Sequence, residues 1–176
     1  VLLSTGLPKA QLLKIVHREQ LQGVIADNEF AATFAQDDIQ VWPADPGDIA
    51  GWGRAGIHRW PPRRADVVLL TSGTTGPPKG ARQGPRSPSL GDLALLDALP
   101  VRVGDTVFVG SPLFHAWGFA QASLVLATAS TLVLQHRFAP DTALQAIKHH
   151  KVTVLAAVPL MLSRLLDTAD PDLSLP

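Results

Sequence analysis

Ten consecutive residues, Thr71 to Gly80, read T-S-G-T-T-G-P-P-K-G and follow the apolar run Val67-Val68-Leu69-Leu70. These residue types suit one chemistry, the holding of phosphate. Gly73 and Gly76 lack a Cβ, so the backbone can turn sharply and approach a ligand closely. Their N–H groups, with the hydroxyls of Thr71, Ser72, Thr74 and Thr75, can donate to phosphate oxygens. Successive N–H groups in such turns form anion-binding nests. Lys79 adds a compact positive charge on a flexible stem, suited to a polyphosphate. The P-loop needs Gly immediately before its Lys and Ser or Thr immediately after it. Pro78 and Gly80 stand there instead. Pro77 and Pro78 disfavour direct entry into a helix. The spacing predicts a strand, a loop, then an extended segment through Lys79-Gly80-Ala81-Arg82. A flexible loop without a ligand is the alternative; two glycines alone would leave it ahead, and the whole string weighs against it.

A second stretch with chemical character is Ser111-Pro112-Leu113-Phe114-His115-Ala116-Trp117-Gly118-Phe119. The first string resembles the phosphate-binding signature of the adenylate-forming superfamily, which includes acyl-CoA synthetases, luciferases and peptide-synthetase adenylation domains. The second resembles the P-x-F-H-x-x-G segment of fatty-acyl-CoA synthetases. A weaker resemblance to bacterial fatty-acid–CoA ligases runs from Leu3-Ser4-Thr5-Gly6 to Val158-Pro159 and beyond.

The resemblance implies part of an ATP-dependent fatty-acyl-CoA synthetase. Such an enzyme activates a carboxylate as its acyl-adenylate and transfers the acyl group to coenzyme A, with ATP and Mg²⁺. It implies nucleotide binding by Thr71, Ser72, Gly73, Thr74, Thr75, Gly76 and Lys79. It implies a catalytic place for His115, with substrate binding by Phe114, His115, Trp117 and Gly118. A packed loop histidine bonded to backbone is the alternative for His115. A fatty-acyl-AMP ligase serving a carrier protein is the nearest rival function. A non-catalytic nucleotide-binding remnant and a plain structural α/β domain are the others.

The 176 residues suffice for one domain with a real core, and 46% apolar content fits a globular chain. Zero formal net charge gives no electrostatic case for nucleic acid. The absence of cysteine excludes disulfides and thiolate chemistry and suits a cytoplasmic location. His17, His58, His136, His149 and His150 lack ligand spacing, so no metal site is expected on them. No signal peptide is read at the start, and the apolar region 119–134 is broken by Gln121, Ser123 and threonines, so no membrane span is expected. Peripheral membrane contact, oligomeric state and acyl chain length stay open. The chain does not begin with Met and shows no Y-x-x-T-E segment, no ribose-binding Asp motif and no small C-terminal domain with a catalytic Lys. A fragment with little or no ligase activity of its own is therefore the expectation.

These motifs need a frame. Apolar periodicity predicts helices over 8–20, 28–36, 90–99, 117–128, 140–150 and 159–167, and strands over 24–26, 66–70, 106–109, 131–134 and 152–156. The Pro/Gly-rich stretch 43–64 reads as a linker between a helix–strand portion, 1–42, and the motif-bearing portion, 65–176. Trp42, Trp52 and Trp60 read as packing anchors. Alternating helix and strand argue for an α/β fold, a mostly parallel sheet flanked by helices. By the resemblance it is an incomplete piece of a synthetase's large N-terminal domain. Both motif loops follow strands, so they can face one crevice.

Overall fold

The computed structural model describes residues 1–34, 37, 39–44, 67–71, 79–83, 99 and 101–169, with 71 and 79–83 described through their backbone. The chain divides into two units, Leu3–Ala65 and Val1–Leu2 with Asp66–Pro176.

In the Leu3–Ala65 unit, helix α1 (Lys9–Arg18) buries Leu12, Ile15 and Val16, residues three and four apart on one face. Pro8 stands at its N-cap. Strand β1 (Gly23–Ala26), helix α2 (Asn28–Phe34) and strand β2 (Gln40–Pro43) follow. The two strands pair in parallel, from Gly23 with Gln40 to Ala26 with Pro43. Leu12, Val16, Val24, Ala26 and Phe34 form the core. Two expectations are corrected here. The strand over 24–26 is buried on one side only, since Ile25 is 62% exposed. Residues 40–43 form a strand that Pro43 concealed, because proline cannot donate to a ladder and is tolerated only at an edge. Trp42 is 43% exposed. Its ring lies over Gly23, where a Cβ would stand 2.6 Å from Cη2, so it covers the sheet's outer face instead of anchoring a core. Trp52, Trp60 and the linker beyond Ala44 lie outside the described residues.

In the other unit, Leu2 bridges in parallel to Leu69 of strand β3 (Val67–Thr71). Strand β4 (Lys79–Gln83) pairs antiparallel with β3, Val67 opposite Gln83 and Thr71 opposite Lys79. The extended segment after the Gly-rich loop is as expected; its return alongside β3 was not legible. The helix expected over 90–99 lies outside the described residues, apart from Leu99.

From residue 101 the pattern is regular: strand β5 (Thr106–Val109), helix α3 (Ala116–Ala127), strand β6 (Thr131–Val133), helix α4 (Pro140–His149), strand β7 (Val154–Ala156) and helix α5 (Pro159–Thr168). The strands form a parallel sheet in the order β6-β5-β7. Val107 and Val109 pack on one face with Val125 of α3 and with Ala156. Phe108 packs on the other with Val133, Ala143, Ile147 and Leu165, from β6, α4 and α5. The middle strand is apolar from Val107 to Val109 because both of its faces are covered there. The path from β5 through α3 leads to one neighbour, and the path from β6 through α4 crosses to the other. Connections thus diverge at the carboxyl end of β5, where open α/β sheets bind ligands.

Both ends of β5 are fastened. At the amino end, Asp105 accepts from the Arg102 N–H at 2.6 Å and from the Thr153 hydroxyl at 2.9 Å. The Thr106 N–H donates to Thr153 Oγ1 at 3.2 Å, joining the entries of β5 and β7. These bonds hold the Asp105 carboxyl below the usual carboxylate range, the Arg102 N–H first and the Thr153 hydroxyl second. At the carboxyl end, the first turn of α3 sits on the chain leaving β5. A Cβ on Gly118 would collide with the Pro112 carbonyl oxygen and stand 2.6 Å from that of Ser111.

Two outcomes follow from these ends. A depressed folded-state pKa stabilises the fold above the unfolded value, and that stability is lost as pH falls through the folded value. Asp105→Asn should therefore flatten the loss of stability below about pH 4, measured as urea midpoints against pH. Gly118→Ala gains helix propensity of about 1 kcal/mol. It also forces backbone apart at a cost of about 1–3 kcal/mol or more, since the atoms struck are carbonyls. A lower thermal midpoint is expected.

Candidate functional site

The site begins where β5 runs out. The Gly110 N–H still donates to the Ala156 carbonyl at 3.0 Å, extending the ladder toward β7 by one bond. The chain then turns, and the His115 N–H donates to the Pro112 carbonyl at 3.1 Å. His115 is the N-cap of α3, with extended backbone (φ −88°, ψ 139°) and no side-chain capping bond. Its carbonyl accepts from the Phe119 N–H at 3.0 Å. The Phe114 and His115 rings lie 4.5 Å apart at a 49° tilt.

This junction exposes the His115 ring, half-exposes Trp117 and keeps Gly118 buried beneath them. Among the described residues the imidazole makes no hydrogen bond. The first turn of α3 carries no acidic residue. Its unpaired N–H groups and positive dipole end favour negative charge at this same rim. A carboxylate arriving here meets an imidazole, an indole and a helix amino end.

Thr71 ends β3 and Lys79 begins β4, and the two are paired directly across the hairpin. Opposite residues in such a pair have Cα atoms about 5 Å apart. Both ends of the connection are thereby pinned. Ser72, Gly73, Thr74, Thr75 and Gly76 lie outside the described residues, as do Pro77 and Pro78. The motif lies between two antiparallel strands, where a P-loop would run from strand to helix.

The structure thus brings Phe114, His115, Trp117 and Gly118 together at one loop–helix junction, and Thr71 and Lys79 together at a hairpin mouth. Sequence reasoning passed over two residues. Ser111 and Gln121 are the buried polar side chains among the described residues, 5% and 8% exposed. The available signal was spacing, since Gln121 falls on the stripe of Gly118, Ala122 and Val125. No group of three His, Asp or Glu side chains among the described residues is placed to hold a metal ion. No helix among them is long and apolar enough to cross a membrane.

Known proteins bear on this arrangement. The 2-succinylbenzoate–CoA ligase of Bacillus velezensis is 31% identical over 176 aligned residues, covering 94% of this chain and 34% of the relative. The Bacillus pumilus ligase of the same name is 37% identical over 102 residues, 57% of this chain and 21% of the relative. Among solved structures, O-succinylbenzoate coenzyme A synthetase from Bacillus subtilis in complex with AMP superposes with a TM-score of 0.70 at 25% identity, over 97% of this chain and 45% of that one. A long-chain-fatty-acid CoA ligase structure from Rhodopseudomonas palustris shares the fold, with a TM-score of 0.73 at 22% identity, over 96% of this chain and 46% of that one. The chain therefore spans less than half the length of these proteins. The model of the AMP-binding enzyme family matches residues 2–175, and the chain belongs to that family of adenylate-forming enzymes.

Proposed function

We propose that these residues are the phosphate-loop and acid-site portion of an ATP-dependent acid–coenzyme A ligase. The observation that carries the reading is the hairpin whose mouth pairs Thr71 with Lys79 and whose connection is the Ser/Thr/Gly string. Carboxylate oxygen attacks the α-phosphorus of ATP, the bond to the pyrophosphate oxygen breaks, and acyl-adenylate and pyrophosphate result. Negative charge grows on the phosphate oxygens as that bond breaks. The loop N–H groups, the hydroxyls of Thr71, Ser72, Thr74 and Thr75, and Lys79 supply donors where it grows. Mg²⁺ would enter largely on the nucleotide's own phosphates. In the second step the thiol of coenzyme A attacks the acyl carbon and AMP leaves. Relatives named as coenzyme A ligases favour that acceptor over a carrier protein.

His115 and Phe114 stand where the acid's carboxyl group would lie, with the α3 amino end beside them. The fatty-acid reading rests on the Ser111–Phe119 segment and a weaker resemblance along the rest of the chain. The relatives are named for 2-succinylbenzoate and indoleacetate, so the class we infer is a carboxylic acid, not specifically a fatty acid.

The test is acid-dependent exchange of pyrophosphate into ATP by the complete gene product carrying these residues. Lys79→Ala should lower exchange roughly 10- to 100-fold, the worth of a charge-assisted bond to phosphate, chiefly through a higher KM for ATP. Unchanged exchange would remove the phosphate-loop reading. His115→Ala should lower kcat about tenfold or more while the thermal midpoint stays put. The ring is exposed and unbonded among the described residues, so it does little for the fold. A large drop in midpoint instead would return His115 to a packing role.

A further inference from the structure

Two buried side-chain oxygens lack a hydrogen-bond partner among the described residues, Asp37 Oδ2 and Gln135 Oε1. Gln135 follows β6 (Thr131–Val133) by two residues, in the segment that leads into α4. Its Nε2 donates to Thr142 Oγ1 at 3.0 Å, and the Thr142 hydroxyl donates to the Ala139 carbonyl at 3.1 Å. That hydroxyl has one hydrogen and gives it to Ala139, so it meets the carboxamide as an acceptor. This fixes which end of the amide is nitrogen and leaves Oε1 as the unmatched end. The same segment reaches the open end of β5. The two strands run parallel with Val133 beside Phe108, and Gln135 and Gly110 each follow two residues later. Phe138, further along the segment, has Cδ2 3.7 Å from where a Cβ on Gly110 would stand. Folded proteins seldom leave a buried carbonyl oxygen without a partner.

We propose that Gln135 Oε1 accepts a hydrogen bond from an amide N–H in the arm of coenzyme A, which makes Gln135 a binding residue for the thiol substrate. The proposal rests on the coenzyme A ligase reading above. An acceptor selects among the reactants of that reading. A carboxylate, a phosphate oxygen and an alkyl chain have no hydrogen to give it. ATP has donors at its base and sugar, and that reading ties the nucleotide by its phosphates to the Thr71–Lys79 hairpin. The arm of coenzyme A carries amide N–H groups close to its thiol, and it must bring that thiol to the acyl carbon at this end of the sheet. Thr142 acts through Gln135, fixing the carboxamide's orientation, and is a positioning residue.

The experiment uses the complete gene product and reads its two half-reactions separately. Acid-dependent pyrophosphate exchange needs no thiol, whereas thioester formation does. Gln135→Leu and the near-isosteric Gln135→Met should each raise KM for coenzyme A about 3- to 10-fold, the worth of one neutral hydrogen bond. Exchange, KM for ATP and the thermal midpoint should stay close to their original values, since a KM shift confined to one substrate marks lost binding of that substrate. Thr142→Val should raise the same KM by a smaller factor. The loss should be as large with pantetheine, which keeps the amides and lacks the nucleotide. An unchanged KM for coenzyme A in both Gln135 variants would show that water or packing satisfies Oε1 and would overturn the proposal alone. So would a loss that falls equally on exchange, or one that pantetheine does not share. Absence of exchange in the unaltered protein would overturn the enzymatic reading and this inference with it.

Discussion

The burial of β5 on both faces is the constraint on which the sheet depends. Val107 and Phe108 are fully buried and Val109 is 2% exposed. Side chains of this size contribute about 1.5–3 kcal/mol each when withdrawn from water. The strand touches α3 through its valines and α4 with α5 through Phe108, so it is the shared surface of both helical layers. A strand covered on both sides has no room for an unpaired polar group. Polar chemistry is therefore displaced to its two ends, and the ends take different tasks. The amino end is closed by Asp105 and Thr153, which tie neighbouring strand entries together. The carboxyl end stays open and carries the candidate site.

Close approach of backbone shapes that open end. Gly110 lies where a Cβ would stand 3.2 Å from Met161 Sδ, so a side chain of α5 comes in tight. At Gly118 the backbone itself comes in, with α3 resting on the Ser111 and Pro112 carbonyls. Helices on both sides of the sheet thus converge on one strand end. The position of His115 follows from this seating. As N-cap of a helix whose first turn rests on Ser111 and Pro112, it is held through its backbone. Its ring needs no bond of its own to be placed at the rim.

Much of this frame was legible from periodicity. The strand over Thr106–Val109 and helices α3, α4 and α5 fall within a residue or two of their expected bounds, because long apolar patterns dominate local propensity there. The two prolines before Lys79 correctly excluded a helix. What stayed hidden depends on partners distant in sequence. The antiparallel return of β4 is one case, since extended residues do not declare what they pair with. Strand β2 is another, because Trp42 and Pro43 read locally as the start of a linker. The three helix ends at Gln20, Ala129 and Lys151 are a third. Each adopts a left-handed backbone, with φ near 50°, where sequence reasoning looks for glycine. Each closes the helix with a bond such as that from the Val152 N–H to the Ile147 carbonyl, 3.0 Å, and the following strand begins within a few residues.

The candidate site was legible in its motifs and not in its lining. At Gly118 backbone spacing dictates the residue, whatever the substrate. Gln121 looked in the sequence like a simple interruption of an apolar run. On helix α3 it shares a buried stripe with Gly118, Ala122 and Val125. A backbone common to enzymes named for different acids cannot by itself carry the difference between those acids. That difference has to lie in side chains that the shared frame leaves free to vary.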